Sequence, residues 1–573
     1  CTRLIKFKKG DSMNAVWLML MGFVAFAFGW FIYSRLYSSK VLELDDNFVT
    51  PAHEYRDDVD FVPANKFVLW GHHFTAVAGA APIVGPAIAV QWGWLPAFLW
   101  VVIGTIAFAG IHDMSALWAS VKNEGKSIGT ICTRFVGNKV GQLFMVVIFL
   151  VLLMVNGAFG VIIAKESVEH TTTIIPAWGA VAVALVMGQA IYRFKMKLVP
   201  VTVVAVIALY ALVPLGVAFP VSLPESVFGL GQNAQWVVLL YIYAGIASVL
   251  PVWALLQPRD YVNGIQLFVG LILLYASIVI VHPNVSAPGI IPAITDNPGG
   301  WHMIIPVLFI TVACGAISGF HGIVSSGTTS KQVDKMKDVR FVGYLGSMGE
   351  GSLALATIIA CVAGVSLVNA DLNIETWGDL YKGGVASFVS GGGALIYEGL
   401  GIPQEASATL LSLMVILFAA TTMDAGIRLQ RYIIQEWGDI YNIRFLRGKG
   451  VATIVAVATS FAISINGVSD GQVAIWPLFG ATNQLLASLT LMVTAVILLK
   501  SKKFGGSLVV LVPMTFILVM SFWGALIKLG DYFQAENYLL TTLNAIVIVV
   551  TLLVVLSALK VISKILSDKK ASA

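Results

Sequence analysis

Charge is what this sequence has least of. Asp, Glu, Lys and Arg together make up 11% of its 573 residues, against about 25% in soluble globular chains. With 58% hydrophobic residues and a mean hydropathy of +0.87, that scarcity argues against a soluble globular protein. It leaves an all-α polytopic membrane protein. Cysteine is also scarce. Cys1, Cys132, Cys314 and Cys361 stand alone, with no CxxC spacing, which argues against a disulfide framework or a zinc–thiolate site. Cys314 and Cys361 read as small buried apolar residues. No low-complexity tract appears, and no Lys/Arg stripe with interleaved aromatics, so the net charge of +5 does not point to nucleic acid. The apolar runs follow one another too closely for a soluble catalytic domain to fold between them.

At about 20 residues per crossing, about fifteen spans are expected. They are 13–34, 73–94, 96–118, 140–164, 177–191, 198–220, 235–256, 264–281, 303–323, 343–367, 406–422, 451–465, 473–499, 507–529 and 541–562. The Gly-rich stretch 384–400 reads as a re-entrant candidate. Lys and Arg alternate between loops. They gather at Lys122–Lys139, Arg193–Lys197, Arg259, Lys331–Arg340, Arg428–Lys449, Lys500–Lys503 and Lys564–Lys570. By the positive-inside rule this places the C-terminus in the cytoplasm and the N-terminus outside. Arg3, Lys6, Lys8 and Lys9 would then lie outside, so Met13 is the expected start and residues 1–12 an extension or artefact. The expected division is 13–72 as an N-terminal helix and cytoplasmic loop, 73–430 as the core, and 431–573 as peripheral C-terminal helices.

One span is not a plain lipid anchor. Gly71-His72-His73-Phe74 leads into Gly79-Ala80-Ala81-Pro82-Ile83-Val84-Gly85-Pro86. Proline within a helix removes a backbone hydrogen bond, and hydrocarbon offers nothing to replace it. The segment therefore faces a protein-lined cavity with its helix interrupted, the arrangement in which secondary transporters hold their cargo.

The motifs Asp60-Phe-Val-Pro63, Gly71–Phe74, Gly79–Pro82, Gly85-Pro86, Gly125-Lys-Ser127, Gly315-Ala-Ile-Ser318-Gly-Phe-His321, Ser325–Thr329 with Lys331-Gln332, Gly349-Glu350, Thr422-Met-Asp424 with Arg428 and Arg431, and Asn483-Gln484-Leu-Leu486 spread across most of the chain. As a set they resemble the carbon starvation protein A (CstA) family of bacterial and archaeal membrane transporters. The resemblance implies import of peptides or pyruvate, with protons, and an APC/LeuT-like core built on a five-plus-five inverted repeat. His112-Asp113 departs from the more usual Gln-Asp and adds a titratable group. If span 73–94 is the first core helix, its inverted counterpart is expected in span 235–256, where Tyr243-Ala-Gly245-Ile-Ala-Ser248-Val-Leu-Pro251 is also punctuated by Gly and Pro.

Candidate residues follow. Gly79, Ala80, Ala81, Pro82, Ile83 and Gly85 offer backbone N–H groups and a positive dipole end to a carboxylate, and no Arg or Lys is expected within the spans to do that work. Ser248, Asn483 and Gln484 are candidates for the rest of the cargo, although Asn483 and Gln484 would serve equally to lock two helices together. His72 and His73 are candidates for proton coupling, for helix capping or for a metal. Ser318, His321, Ser325 and Ser326 share the end of span 303–323, and His321 is expected to approach His72 or His73; the serines could equally bond their own helix. Glu350 is a carboxylate entering the membrane, a functional candidate by default. Asp424 and Arg428, spaced i,i+4, read as a surface helix salt bridge. No cofactor is expected, beyond a metal ion at His72, His73 and His321 if any. The partners are a peptide or pyruvate, protons or sodium, and membrane lipids. The rival is a membrane-embedded redox protein with histidine-liganded haem or metal.

Overall fold

The structure is a computed structural model that describes residues 13–57, 60–251, 254–291, 304–368, 384–470 and 472–572; the expectation for residues 1–12 lies outside them. In a bilayer a spanning segment must satisfy its own backbone hydrogen bonds, and the apolar runs fold accordingly into long helices. In chain order these are α1 (Ala15–Leu42), α2 (Lys66–Ala78), α3 (Ala81–Trp92), α4 (Trp94–Lys122), α5 (Ile128–Phe135), α6 (Asn138–Glu169), α7 (Thr171–Arg193), α8 (Leu198–Ala218), α9 (Gln232–Val249) and α10 (Leu256–Val281). There follow α11 (Val307–Thr311), α12 (Gly319–Gly327), α13 (Arg340–Val368), α14 (Val385–Leu400), α15 (Gln404–Ile440), α16 (Lys449–Asp470), α17 (Gln472–Lys500), α18 (Phe504–Gln534) and α19 (Tyr538–Ser572).

Among the described residues, 12 helices are long and apolar enough to cross a membrane, and α2 with α3, bent by 49°, makes 13. The shorter α9 and the interrupted pair α11 and α12 bring the crossings to the expected fifteen or so. The chain is thus a multi-pass membrane protein.

Two sets of five elements pack in matching ways. The broken helix α2/α3 lies on α13, and the broken helix α11/α12 lies on α4. Helix α6 packs on α9, α16 and α17, and α15 packs on α16, α9 and α10. Helix α10 touches α2, and α17 touches α11 and α12. At the centre α6 and α15 cross each other, with Gly426 set against the Asn156 side chain. Small residues at such crossings permit the close approach that holds helices together in lipid. From α2/α3 to the end of α10 the chain crosses an odd number of times, once the hairpin α7–α8 is counted. The second set therefore starts from the opposite face, and the core is an inverted repeat.

Three expectations change. The inverted counterpart of α2/α3 is the span 303–323, not 235–256. Helix α9 runs unbroken through Gly245, and Pro251 lies beyond its end, so Gly and Pro there mark a boundary rather than an interruption. The division expected at 430 falls inside the continuous helix α15, and the apolar stretch of α17 beyond it is buried against the core helices. Finally, α2 starts at Lys66, where the Asn65 side chain caps Phe67 N at 3.0 Å; His72 and His73 thus lie within the helix rather than at its start. The re-entrant candidate forms α14, whose glycines sit against Ala360, Leu411 and Ser277 near the ends of α13, α15 and α10.

Candidate functional site

The two interruptions meet at the centre of the core. Gly79 separates α2 from α3 with φ +21°, a region that favours glycine. No side chain caps α3, Pro82 has no N–H, and Ile83 N and Val84 N donate to Ala80 O at 3.0 Å each, so in the first turn of α3 it is Ala81 N that remains for the break. A Cβ on Gly79 would stand 2.8 Å from the Thr422 hydroxyl of α15. In the second broken helix Val312–Ser318 leave helical geometry, turning at Gly315 with φ +87°. A Cβ on Gly315 would lie 3.6 Å from Pro82, so the two breaks are neighbours.

The second break has its own support. Asn483 accepts from Phe320 N at 2.9 Å and donates to the Ser318 hydroxyl at 3.0 Å. Gln484 donates to Phe309 O at 2.6 Å and accepts from the Ser521 hydroxyl at 3.0 Å. Trp476 donates to Thr311 O at 3.1 Å, and Thr105 to Gly315 O at 3.0 Å. Of the two readings left open for Asn483 and Gln484, the geometry favours helix locking: they satisfy backbone groups that the interruption frees. Ser248 is buried without a hydrogen-bond partner. Its helix packs on α6, α15 and α16, away from the Gly79–Gly85 group.

Beside the breaks runs a chain of titratable groups, all fully buried. His112 Nδ1 lies 2.8 Å from one oxygen of Asp113, and His321 Nδ1 lies 2.8 Å from the other. An ionised carboxylate only accepts, so both imidazoles donate from Nδ1. That turns His321 Nε2 toward Glu350, 3.3 Å away. Neither Nε2 nor the Glu350 oxygens have a hydrogen-bond partner. Cys314 of the second break completes a group whose donor atoms lie within 4.8 Å of one another. Of the three histidines expected to offer metal ligands, only His321 belongs to it.

His73 is adjacent. Its Nδ1 lies 2.9 Å from the Thr329 hydroxyl, and its ring edge rests on Gly346, one turn before Glu350. His72 is half-buried. Ser326 donates to Gly322 O at 2.7 Å and accepts from Ile128 N at 3.0 Å, joining α12 to α5. Ser325 is buried with its hydroxyl unpartnered.

The Asp424–Arg428 expectation is overturned. Asp424 is buried and paired with Arg259 of α10, and Tyr243 donates to it at 2.9 Å. Arg428 instead donates to Ala247 O and Leu250 O at the end of α9, at 2.8 Å each. An arginine does therefore lie inside the membrane domain. Asp113, Cys314, Tyr243 and Arg259 are absent from the sequence-derived candidates. The signal for Asp113 was an ionisable residue inside an apolar span. Arg259 sits next to the predicted start of a span and so reads as a loop cation.

A family model described as "Carbon starvation protein CstA" matches residues 14–376 and 375–524. A protein of Helicobacter pylori (strain ATCC 700392 / 26695) named "Peptide transporter CstA" is 32% identical, over 95% of this chain and 86% of its own length. "Pyruvate/proton symporter BtsT" of Escherichia coli (strain K12) is 28% identical, over 94% of this chain and 86% of its own. Among solved structures, a mutant manganese transporter of Eremococcus coleocola aligns with a TM-score of 0.48 at 12% identity, covering 89% of this chain and 98% of that one. MhsT in complex with L-phenylalanine aligns at 0.47 and 14%, covering 87% and 99%.

Proposed function

The chain belongs to the carbon starvation protein CstA family, and on that premise we propose that it is a secondary active importer of small carboxylate solutes, peptides or pyruvate, coupled to protons. The observation that carries the reading is the meeting of two interrupted helices beside the buried Asp113–His321–Glu350 chain. A break presents N–H groups and a helix dipole to an anion. Within Gly79–Ile83 the cargo carboxylate is held at Ala80 and Ala81, because Pro82 has no N–H and Ile83 N donates to Ala80 O at 3.0 Å; Gly85 allows the second broken helix to approach, and a Cβ there would stand 2.7 Å from Thr311 O.

Coupling runs through a proton passed between His321 and Glu350, with Asp113 and His112 orienting the imidazole and His73 of α2 resting on Gly346, one turn before Glu350. Hard cations such as sodium take oxygen ligands, whereas imidazole and thiol do not suit them; this favours the proton. The protein sits in the cell membrane of a bacterium or archaeon, N-terminus outside and C-terminus in the cytoplasm, as the Lys/Arg alternation indicates. The named relatives are transporters, and the redox alternative finds no support among them.

The test is uptake of pyruvate and of a dipeptide into proteoliposomes under imposed pH or sodium gradients. An inward proton gradient should drive accumulation, and a chelator should not alter it. Accumulation that follows sodium alone would refute the coupling, and failure to accumulate either solute would refute the importer.

A further inference from the structure

Arg259 is 1% exposed, on the first turn of α10. Its Nη1 is paired with Asp424 and donates to the Tyr243 hydroxyl at 2.6 Å. Its Nε and Nη2 have no hydrogen-bond partner; Nη2 is held only by an ion pair with Asp260 Oδ1 at 3.6 Å, too long for a hydrogen bond, so the edge keeps both N–H groups to offer beside that carboxylate. Buried guanidinium donors left bare are costly, and native structures seldom leave them so. The bare pair is the Nε–Nη2 edge, whose two parallel N–H groups match the two oxygens of a carboxylate. Asp424 and Tyr243 hold the opposite side of the guanidinium, so the free edge is fixed before anything binds.

Its place in the fold connects it to the break. One turn along α10, Asn263 donates to the Thr421 hydroxyl at 2.8 Å, and Gly264 rests against Thr75 of α2. Thr422, next to Thr421, covers Gly79. A polar line thus runs from Arg259 to the interruption of α2/α3 along one side of α15.

We infer that the free edge of Arg259 is a second carboxylate site on the solute's path, with Asp424 and Tyr243 as its positioning residues. The inference rests on the importer reading above and names the side chain that selects for a carboxylate. Peptides and pyruvate both bear that group; their esters would lose the bidentate pairing.

The experiment is saturable uptake of pyruvate and of dialanine by the full chain in proteoliposomes, comparing wild type with Arg259→Lys and Tyr243→Phe. Lysine keeps the charge that faces Asp424 but has no planar fork. Expected are a KM raised about tenfold or more in Arg259→Lys for both solutes, a smaller rise in Tyr243→Phe, and unchanged unfolding temperatures. If Arg259→Lys does not fold, the double variant Arg259→Gln/Asp424→Asn, which removes both buried charges together, is measured instead and should lose saturation while folding normally. A wild-type KM in either folded arginine variant overturns the arginine site and leaves the importer standing. Wild-type protein that takes up neither solute overturns both.

Discussion

His321 Nδ1 and Asp113 Oδ2 lie 2.8 Å apart, on α12 and α4, and neither side chain is exposed. That bond decides which nitrogen of His321 is free, and the free one faces Glu350 on a third helix. The three side chains thereby join three separate helices.

Glu350→Gln should abolish gradient-driven accumulation while counterflow exchange survives in part, because the amide keeps a polar group beside His321 but cannot carry the proton. Accumulation to the wild-type level in this variant would sink the coupling proposal.

Asp113→Asn replaces one of two acceptors with a donor, so His112 or His321 must lose its bond or turn its ring. Uptake should fall by about tenfold or more, comparable to the loss of one charged hydrogen bond. His112→Gln, in contrast, should retain most of the activity, since an amide can donate to Asp113 as the imidazole does. Equal losses in the two variants would contradict the assigned roles.

Gly79→Val should abolish binding and also lower the unfolding temperature. Its φ of +21° disfavours any side chain, and the new Cβ would meet the Thr422 hydroxyl. Pairing Gly79→Ala with Thr422→Ala separates the two effects. The double variant should fold better than Gly79→Ala alone while still binding pyruvate poorly, read by thermal shift with and without the solute.

Asn483→Ala should act through folding. It leaves Phe320 N and the Ser318 hydroxyl without their partner, at a cost of about 1–3 kcal/mol. The expected signature is less folded protein with little change in the preference between pyruvate and dialanine. A changed preference at normal expression would place Asn483 on the solute instead.

A cysteine at Asp45 should resist an impermeant maleimide in intact cells, whereas one at Asn284 should react. Asp46 pairs with Lys337 at 2.6 Å and Glu43 with Lys503 at 2.8 Å, so these three loops share one face. Asn14 and Asn284 bridge on the other. Rapid labelling at Asp45 would invert the assigned topology.

What the sequence by itself determined were the properties that hydrocarbon imposes locally. The spans, their number and the interruption at Gly79 all follow from backbone groups that must be satisfied within each segment. Glu350 and His321 were legible for the same reason, since an ionisable group inside an apolar run stands out. The partner of the first broken helix was not legible. Gly245 and Pro251 carry the same punctuation as Gly315, and only the packing of α11 and α12 on α4 and α17 distinguishes a helix end from a helix break. The partners of Asp424 were likewise a tertiary matter. Arg428 lies one turn away on the same helix, yet Arg259, 165 residues earlier in the chain, takes the carboxylate. Arg428 is drawn off by the carbonyls at the end of α9, and sequence spacing carries no information about a competing acceptor on another helix.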